Sequence, residues 1–328
     1  MASGAAVTAQ TPQPARRAVL LAFVKWGFLA ISVALLAWAL YSSWDEVALA
    51  LRDVGWGPFA GAAVCAVLAL GFNTLSWRAV MRSVGLHAPV PDAAAVFLIS
   101  QAGKYVPGAV WPVLTQAEFA RERGVSRSRA LTGSIVAMIV GVAMAGAVGL
   151  LGLAVSAPGS LLDYWWALAV AAALVVMLVP AVLRRIVALA LRVLKRGDDA
   201  AEIGGRAIGA SAGWSLLNWL ALGAQAWLLL RPLAPEASSA FALATGAFAL
   251  SWLVGFLVVI APAGIGPREL ALAAMLSTVA TGPQAAAVAL LSRFAMSIAD
   301  GVGLLVGLGL RARRARSGGP ADAGPDAD

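Results

Sequence analysis

The chain has 328 residues, 61% of them hydrophobic and only 12% charged, with a formal net charge of +8 and a mean hydropathy of +0.86. Soluble domains carry about 25% charged residues, so this much apolar surface excludes one water-soluble core and indicates a polytopic membrane protein. A single cysteine, Cys65, excludes a disulfide framework and a cysteine-rich metal site. The single histidine, His87, in a short loop beside Pro89 and Pro91, reads as a solvated side chain.

Residues 1–18 are rich in small residues and Pro and are expected to form a disordered tail. Arg16 and Arg17 then precede an apolar run from Val19 to Tyr41. It is longer than the ~7–15 residues of a signal-peptide core, so it reads as a retained transmembrane helix. Six runs can cross about 30 Å of hydrocarbon as helices: 19–41, 58–77, 131–155, 165–183, 211–230 and 284–310. The breakers WGP at 56–58, SAPG at 156–159 and RPLAPE at 231–236 separate them. Two further regions, 94–118 and 240–281, are apolar but interrupted. The fold class predicted is therefore all-α and polytopic, with six full spans and two broken segments, about eight membrane segments in all. A single transmembrane domain covers 19–310, and 311–328 forms a basic, then disordered, tail.

Nineteen of the 24 Lys and Arg residues fall in the N-terminal tail, 78–95, 101–130, 184–210 and the C-terminal tail. The loops on the other side hold Arg52 and Arg231. This asymmetry puts both termini in the cytoplasm of a cell lined by its plasma membrane. It assigns the basic excess to the anionic inner leaflet and not to nucleic acid. RRIVALALRVLKR at 184–196 reads either as an interfacial helix or as a charged helix end. The longest uninterrupted cytoplasmic loop, 184–210, leaves no room for a soluble catalytic domain.

The two broken stretches align on PGAVWP (107–112) and PAGIGP (262–267). Each has two prolines five apart enclosing glycine, which interrupts a helix by removing a backbone donor and loosening the backbone. The freed polar groups need protein or a wet cavity around them. By the topology, 94–118 enters and leaves from the cytoplasm, and 240–281 from outside, as a re-entrant hairpin or as two crossings. Matched interruptions in inverted halves point to a substrate site near the midplane; ordinary Pro-Gly loops are the alternative.

KYVPGAVWP with ARERGVSRSRAL (120–131), and IAPAGIGPRELAL (260–272) with LLSRF (290–294), resemble the lysylphosphatidylglycerol synthase transmembrane-region family, also called flippase-like membrane proteins. The resemblance covers roughly residues 20–310 and implies a flippase-type domain with two re-entrant elements. In the best-understood branch, that domain moves aminoacylated phosphatidylglycerol to the outer leaflet. Two departures stand out. The aminoacyl-transfer domain of full synthases is not recognisable. The helix after the first motif reads SIVAMIVG (134–141) where many relatives carry an acidic–arginine pair. Transport of a lysyl lipid is therefore not assumed.

Ionisable groups inside spans are costly and usually functional. Arg293 and Asp300 lie seven apart, on one face of the last span. Arg268 and Glu269 begin the helix after PAGIGP, where exposed N–H groups favour an anion. The candidate substrate-binding residues are Lys104, Tyr105, Pro107, Gly108, Pro262, Gly264, Gly266, Arg268, Glu269, Arg293 and Asp300. The cations would hold a lipid phosphate, and the carboxylates would neutralise them between cycles or bind a cationic headgroup. A purely structural ion-pair network is the alternative. Gln116 and Glu118 are weaker cavity candidates, whereas Asn73, Trp77 and Arg78 read as an interface anchor.

The function expected is translocation of a phospholipid or lipid-linked headgroup across the cytoplasmic membrane. The alternatives are a membrane-embedded transferase and an accessory subunit in envelope lipid or glycolipid synthesis. No catalytic residue, metal or cofactor is predicted, and no phosphate-binding loop is present. The expected partners are the lipid substrate and anionic inner-leaflet lipid, with homo-oligomerisation left open.

Overall fold

The computed structural model describes residues 44–105, 111–156, 165–179, 181–183, 185, 203–235, 240–258 and 266–316. The expected span at 19–41 lies outside these residues, as does 184–196 except for Arg185. Every element among the described residues is helical.

The first helix, α1 (Trp44–Val54), stands where a loop is expected. It buries Ala50, Leu51 and Val54 and exposes Leu49, Arg52 and Asp53. Gly55, at φ 88°, turns the chain directly into α2 (Trp56–Ser83). The WGP tripeptide that reads as a breaker is the first turn of α2. Proline is tolerated there because the first N–H groups have no intrahelical acceptor. Val90–Gln101 forms α3, which tightens into a 3₁₀ turn over Ala102–Tyr105, and Trp111–Arg121 forms α4. Next come α5 (Arg127–Ser156), α6 (Trp165–Val176) and α7 (Gly205–Leu230). The helix α6 stops short of the expected 183, with a turn at Met177–Leu178. Ala240–Leu257 forms α8, Pro267–Leu276 forms α9, and Gly282–Arg316 forms α10.

Four of these helices, α2, α5, α8 and α10, are long and apolar enough to cross a membrane. The chain is a multi-pass helical membrane protein. At 26 residues α7 is also long enough, but Ser211, Ser215, Asn218 and Gln225 lower its hydropathy. All four of those polar residues are buried, so they face the bundle. Ser76 and Ser211 hydrogen-bond at 2.9 Å and join α2 to α7. Gln225 Nε2 donates to the Ser292 carbonyl at 2.8 Å and joins α7 to α10.

Helix directions follow from paired contacts. Gly61 meets Leu228, Phe72 stacks on Trp214, and Ser76 meets Ser211, so α2 and α7 are antiparallel. Asp92 pairs with Arg314, Gly307 packs on Ala95 and Ile99, and Lys104 reaches Asp300, so α3 runs antiparallel to α10. Trp227 meets Phe241 and Trp219 meets Trp252, so α8 runs antiparallel to α7. Thus α3 climbs from the basic end of α10 to its middle, and α8 descends from the opposite end to the middle of α7.

In lipid, helix association rests on close packing and not on hydrophobic expulsion. A Cβ on Gly246 would lie 2.7 Å from the Leu153 nitrogen and 2.9 Å from the Gly149 carbonyl oxygen. That position admits only glycine without moving α5. Gly149 and Gly152 serve the same crossing, and Gly146 receives Leu174. Gly141, on the same helix, has no close neighbour for a Cβ; its carbonyl accepts from Trp219 Nε1 at 3.2 Å.

Two apolar cores result. One unites α1, the first half of α2, most of α7 and α8, α9 and the start of α10 around Phe248, Leu229 and Leu276. The other unites the end of α2 with α3, α4 and the start of α5 around Trp77, Met81 and Val136. The functional candidates lie between them.

Candidate functional site

Each interrupted segment docks on α10, and beside each interruption an ion pair ties the chain to that helix. In the first, the 3₁₀ turn presents Lys104 and Tyr105 side by side. Lys104 Nζ donates to Asp300 Oδ1 at 2.7 Å, and the Tyr105 hydroxyl donates to Asp300 Oδ2 at 2.6 Å. The Asp300 side chain is 7% exposed and that of Lys104 28%. In the second, Gly266 adopts φ 94°, a conformation that favours glycine, and caps α9. Its N–H donates to Glu269 Oε2 at 2.7 Å, the acceptor half of a capping box. Glu269 Oε1 accepts from Arg293 Nη1 at 2.5 Å.

Arg293, Met296, Ser297 and Asp300 recur every three or four residues along one face of α10. Two turns separate the two ion pairs, so α10 receives both segments on one stripe. The sign alternates: the first segment brings a cation to a carboxylate on α10, and the second brings a carboxylate to an arginine.

Arg268 differs from its neighbours. It is 9% exposed, and its guanidinium lies over the Phe248 ring, 4.7 Å from the centroid. Nη2 approaches Met296 Sδ at 2.7 Å. No carboxylate among the described residues pairs with it. Thioether and ring are weak partners for a buried cation, which ordinarily needs a full counter-charge. Lys104, Arg268 and Arg293 against Glu269 and Asp300 leave the cluster with one excess positive charge.

These groups open onto a cavity of about 330 Å³ between the two cores. Lys104, Arg268, Arg293 and Asp300, with the Tyr105 hydroxyl, form its polar wall. Of the sequence candidates, Lys104, Tyr105, Gly266, Arg268, Glu269, Arg293 and Asp300 are thereby brought together. Pro107, Gly108, Pro262 and Gly264 lie outside the described residues. Gln116 lines the cavity and donates to Ser100 Oγ at 3.0 Å, whereas Glu118 does not line it and accepts from Arg121.

Two lining residues depart from the sequence reading, and a third was not singled out by it. Trp77, expected at the membrane interface, is 3% exposed, packs on Phe97 and lines the cavity. Asn73, grouped with it as an anchor, also faces the cavity. Asn218 of α7 lines it too and is 7% exposed, with no hydrogen-bond partner among the described residues. The signal was present as polar residues at helical spacing, Ser211, Ser215, Asn218 and Gln225 in α7.

At the basic end, Asp92 accepts from Arg314 and forms an ion pair with Arg123 at 3.6 Å. Arg123 also stacks on Phe119, 3.7 Å from the ring centroid. The start of α3, the end of α10 and the α4–α5 connection are thereby clasped together.

No curated protein matches the chain. A family model, the lysylphosphatidylglycerol synthase TM region, matches residues 26–301 and takes in every described member of the charged cluster. The chain belongs to the lysylphosphatidylglycerol synthase transmembrane-region family.

Proposed function

We propose that the protein is a translocase that carries a phospholipid or lipid-linked headgroup across the cytoplasmic membrane, through the cavity between its two interrupted segments. The observation that carries this is Arg268, a buried guanidinium without a carboxylate partner among the described residues, facing a cavity midway along α10. A phosphate would supply the missing counter-charge in bidentate geometry. A cavity of about 330 Å³ suits a headgroup, because small-ligand sites run from about 300 Å³ upward. The acyl chains would stay in lipid.

In this reading α3–α4 and α8–α9 are re-entrant hairpins entering from opposite faces, the core of an inverted eight-segment repeat. Their antiparallel docking from the two ends of the bundle supports it. So does the length of α9, whose 10 residues span about 15 Å and cannot cross a bilayer. Arg82, Arg121, Arg127, Arg311 and Arg314 gather at one end, which supports a cytoplasmic basic face against anionic inner-leaflet lipid. Exchange between inward- and outward-open forms would proceed by motion of one hairpin against α10.

Lipid sidedness tests the proposal. In cells with and without the chain, total and outer-leaflet-accessible lipids are quantified together, with Arg268→Ala and Arg293→Ala alongside. The expected result is one lipid constant in amount but depleted from the outer leaflet without the chain. A lipid species that is never made would sink the translocase and favour a transferase.

A further inference from the structure

Both carboxylates of the cluster are already used. Asp300 accepts from Lys104 on one oxygen and from Tyr105 on the other. Glu269 accepts from Arg293 on one oxygen and from the Gly266 backbone on the other. Each carboxylate is already held by a cation and a second donor, so an incoming ammonium group would have to compete with Lys104 or Arg293 for it, and the cluster holds one more cation than anion. The cavity is also lined by two side-chain amides, Asn218 buried and Asn73 exposed, with no hydrogen-bond partner among the described residues.

We infer that the headgroup accepted is a monoanionic phosphodiester whose remaining portion is uncharged and hydroxylated, of the glycerol or sugar type, and that amine-bearing headgroups are rejected. The inference rests on the translocase reading for its lipid. The charge match sets the first half. One phosphodiester neutralises Arg268; a phosphomonoester dianion would overshoot, and a zwitterion would leave the excess cation in place. The amides set the second half. An asparagine offers both donors and an acceptor, which match hydroxyl groups and give nothing selective to a methyl.

The test is competition against fluorescent phosphatidylglycerol on the purified full chain in detergent, using tail-matched dioctanoyl lipids. Phosphatidylglycerol and phosphatidylinositol are expected to compete roughly tenfold or more better than phosphatidylethanolamine, lysylphosphatidylglycerol or phosphatidic acid. Arg268→Gln should weaken phosphatidylglycerol by roughly tenfold to hundredfold, with Arg268→Lys intermediate. Asn218→Leu should erase the preference for phosphatidylglycerol over phosphatidylmethanol while leaving phosphatidylmethanol unchanged. Monodisperse elution qualifies each variant, and the wild-type lipid series stands without them. Amine lipids competing as well as phosphatidylglycerol overturn the headgroup assignment while the lipid site survives. Free glycerol phosphate competing as well as phosphatidylglycerol, or no lipid competing at all, removes the translocase reading itself.

Discussion

The two interrupted segments solve the same problem by different physics. In α3–α4 both helices are short, and the segment is held by polar contacts at each extremity. Lys104 and Tyr105 grip Asp300 at its tip, and Asp92 bridges Arg123 and Arg314 at its base. In α8–α9 the first helix is long and nearly featureless, and apart from the Glu269–Arg293 pair the grip is apolar. Phe248, Leu272 and Leu276 are buried, and Gly246 lets α8 touch the backbone of α5. The consequence falls on the cations. The first segment's lysine is paired, whereas the second segment has Glu269 committed to Arg293 and Arg268 left over. One segment has its cation paired within the fold; the other leaves Arg268, the charge that the proposed ligand would meet.

The sharpest way to break this comparison is at Asp300. Asp300→Ala strands Lys104 and Tyr105 in the interior, and the loss of one partner from a buried pair costs about 3–5 kcal/mol. With Lys104 28% exposed, the lower end of that range is expected. Denaturation in mixed detergent micelles reads the loss, and Lys104→Met in the same chain should restore much of the stability without restoring translocation. If Asp300→Ala unfolds like wild type, the first segment is not held by its charges.

Arg268→Gln should do the opposite. Removing an unpaired buried cation leaves stability equal or higher, while translocation falls by roughly tenfold or more. Flux of a fluorescent lipid in proteoliposomes, measured beside the unfolding curve, separates the two. Loss of stability in step with flux would mean Arg268 is structural after all.

Gly246→Ala probes the apolar grip. The added methyl meets backbone and not a flexible side chain, so α8 and α5 must part, at a cost of about 1–3 kcal/mol. The same change at Gly141, which has open space, should cost little. Equal costs at the two positions would show that the crossing tolerates separation.

The smallest effect belongs to the clasp. Asp92→Asn removes the negative charge shared by two arginines, one of them 44% exposed, so about 0.2–1 kcal/mol is expected and should shrink in high salt. A larger or salt-independent loss would mean that the clasp is sealed from solvent.

Much of this was legible in the chain. Apolar run length identified the long helices because a bilayer requires about 20 apolar residues whatever their packing. Costly charges inside those runs pointed to Arg268, Glu269, Arg293 and Asp300, because lipid leaves no neutral reason for an ion to be there. Seven-residue spacing put Arg293 and Asp300 on one face by helix geometry alone. Where local rules misled, the reason is physical. WGP looks like a stop, but Pro58 sits in a first turn, where its missing donor is not needed. The amphipathic α1 was invisible to a search for long apolar runs.

Pairing and sidedness of each residue were a different matter. Composition could state that two carboxylates and three cations share the membrane interior, but not which cation would be left without a partner. That depends on distances across 24 to 196 residues of chain, set by how α3 and α9 lie on α10. Trp77 makes the same point. Its type and place near a helix end suited an interface, and only the packing of α3 over α2 turned it inward against Phe97. Periodicity and transfer cost act on one helix at a time and survive in the sequence. Ion pairing and cavity lining act between helices and exist only once the helices have packed.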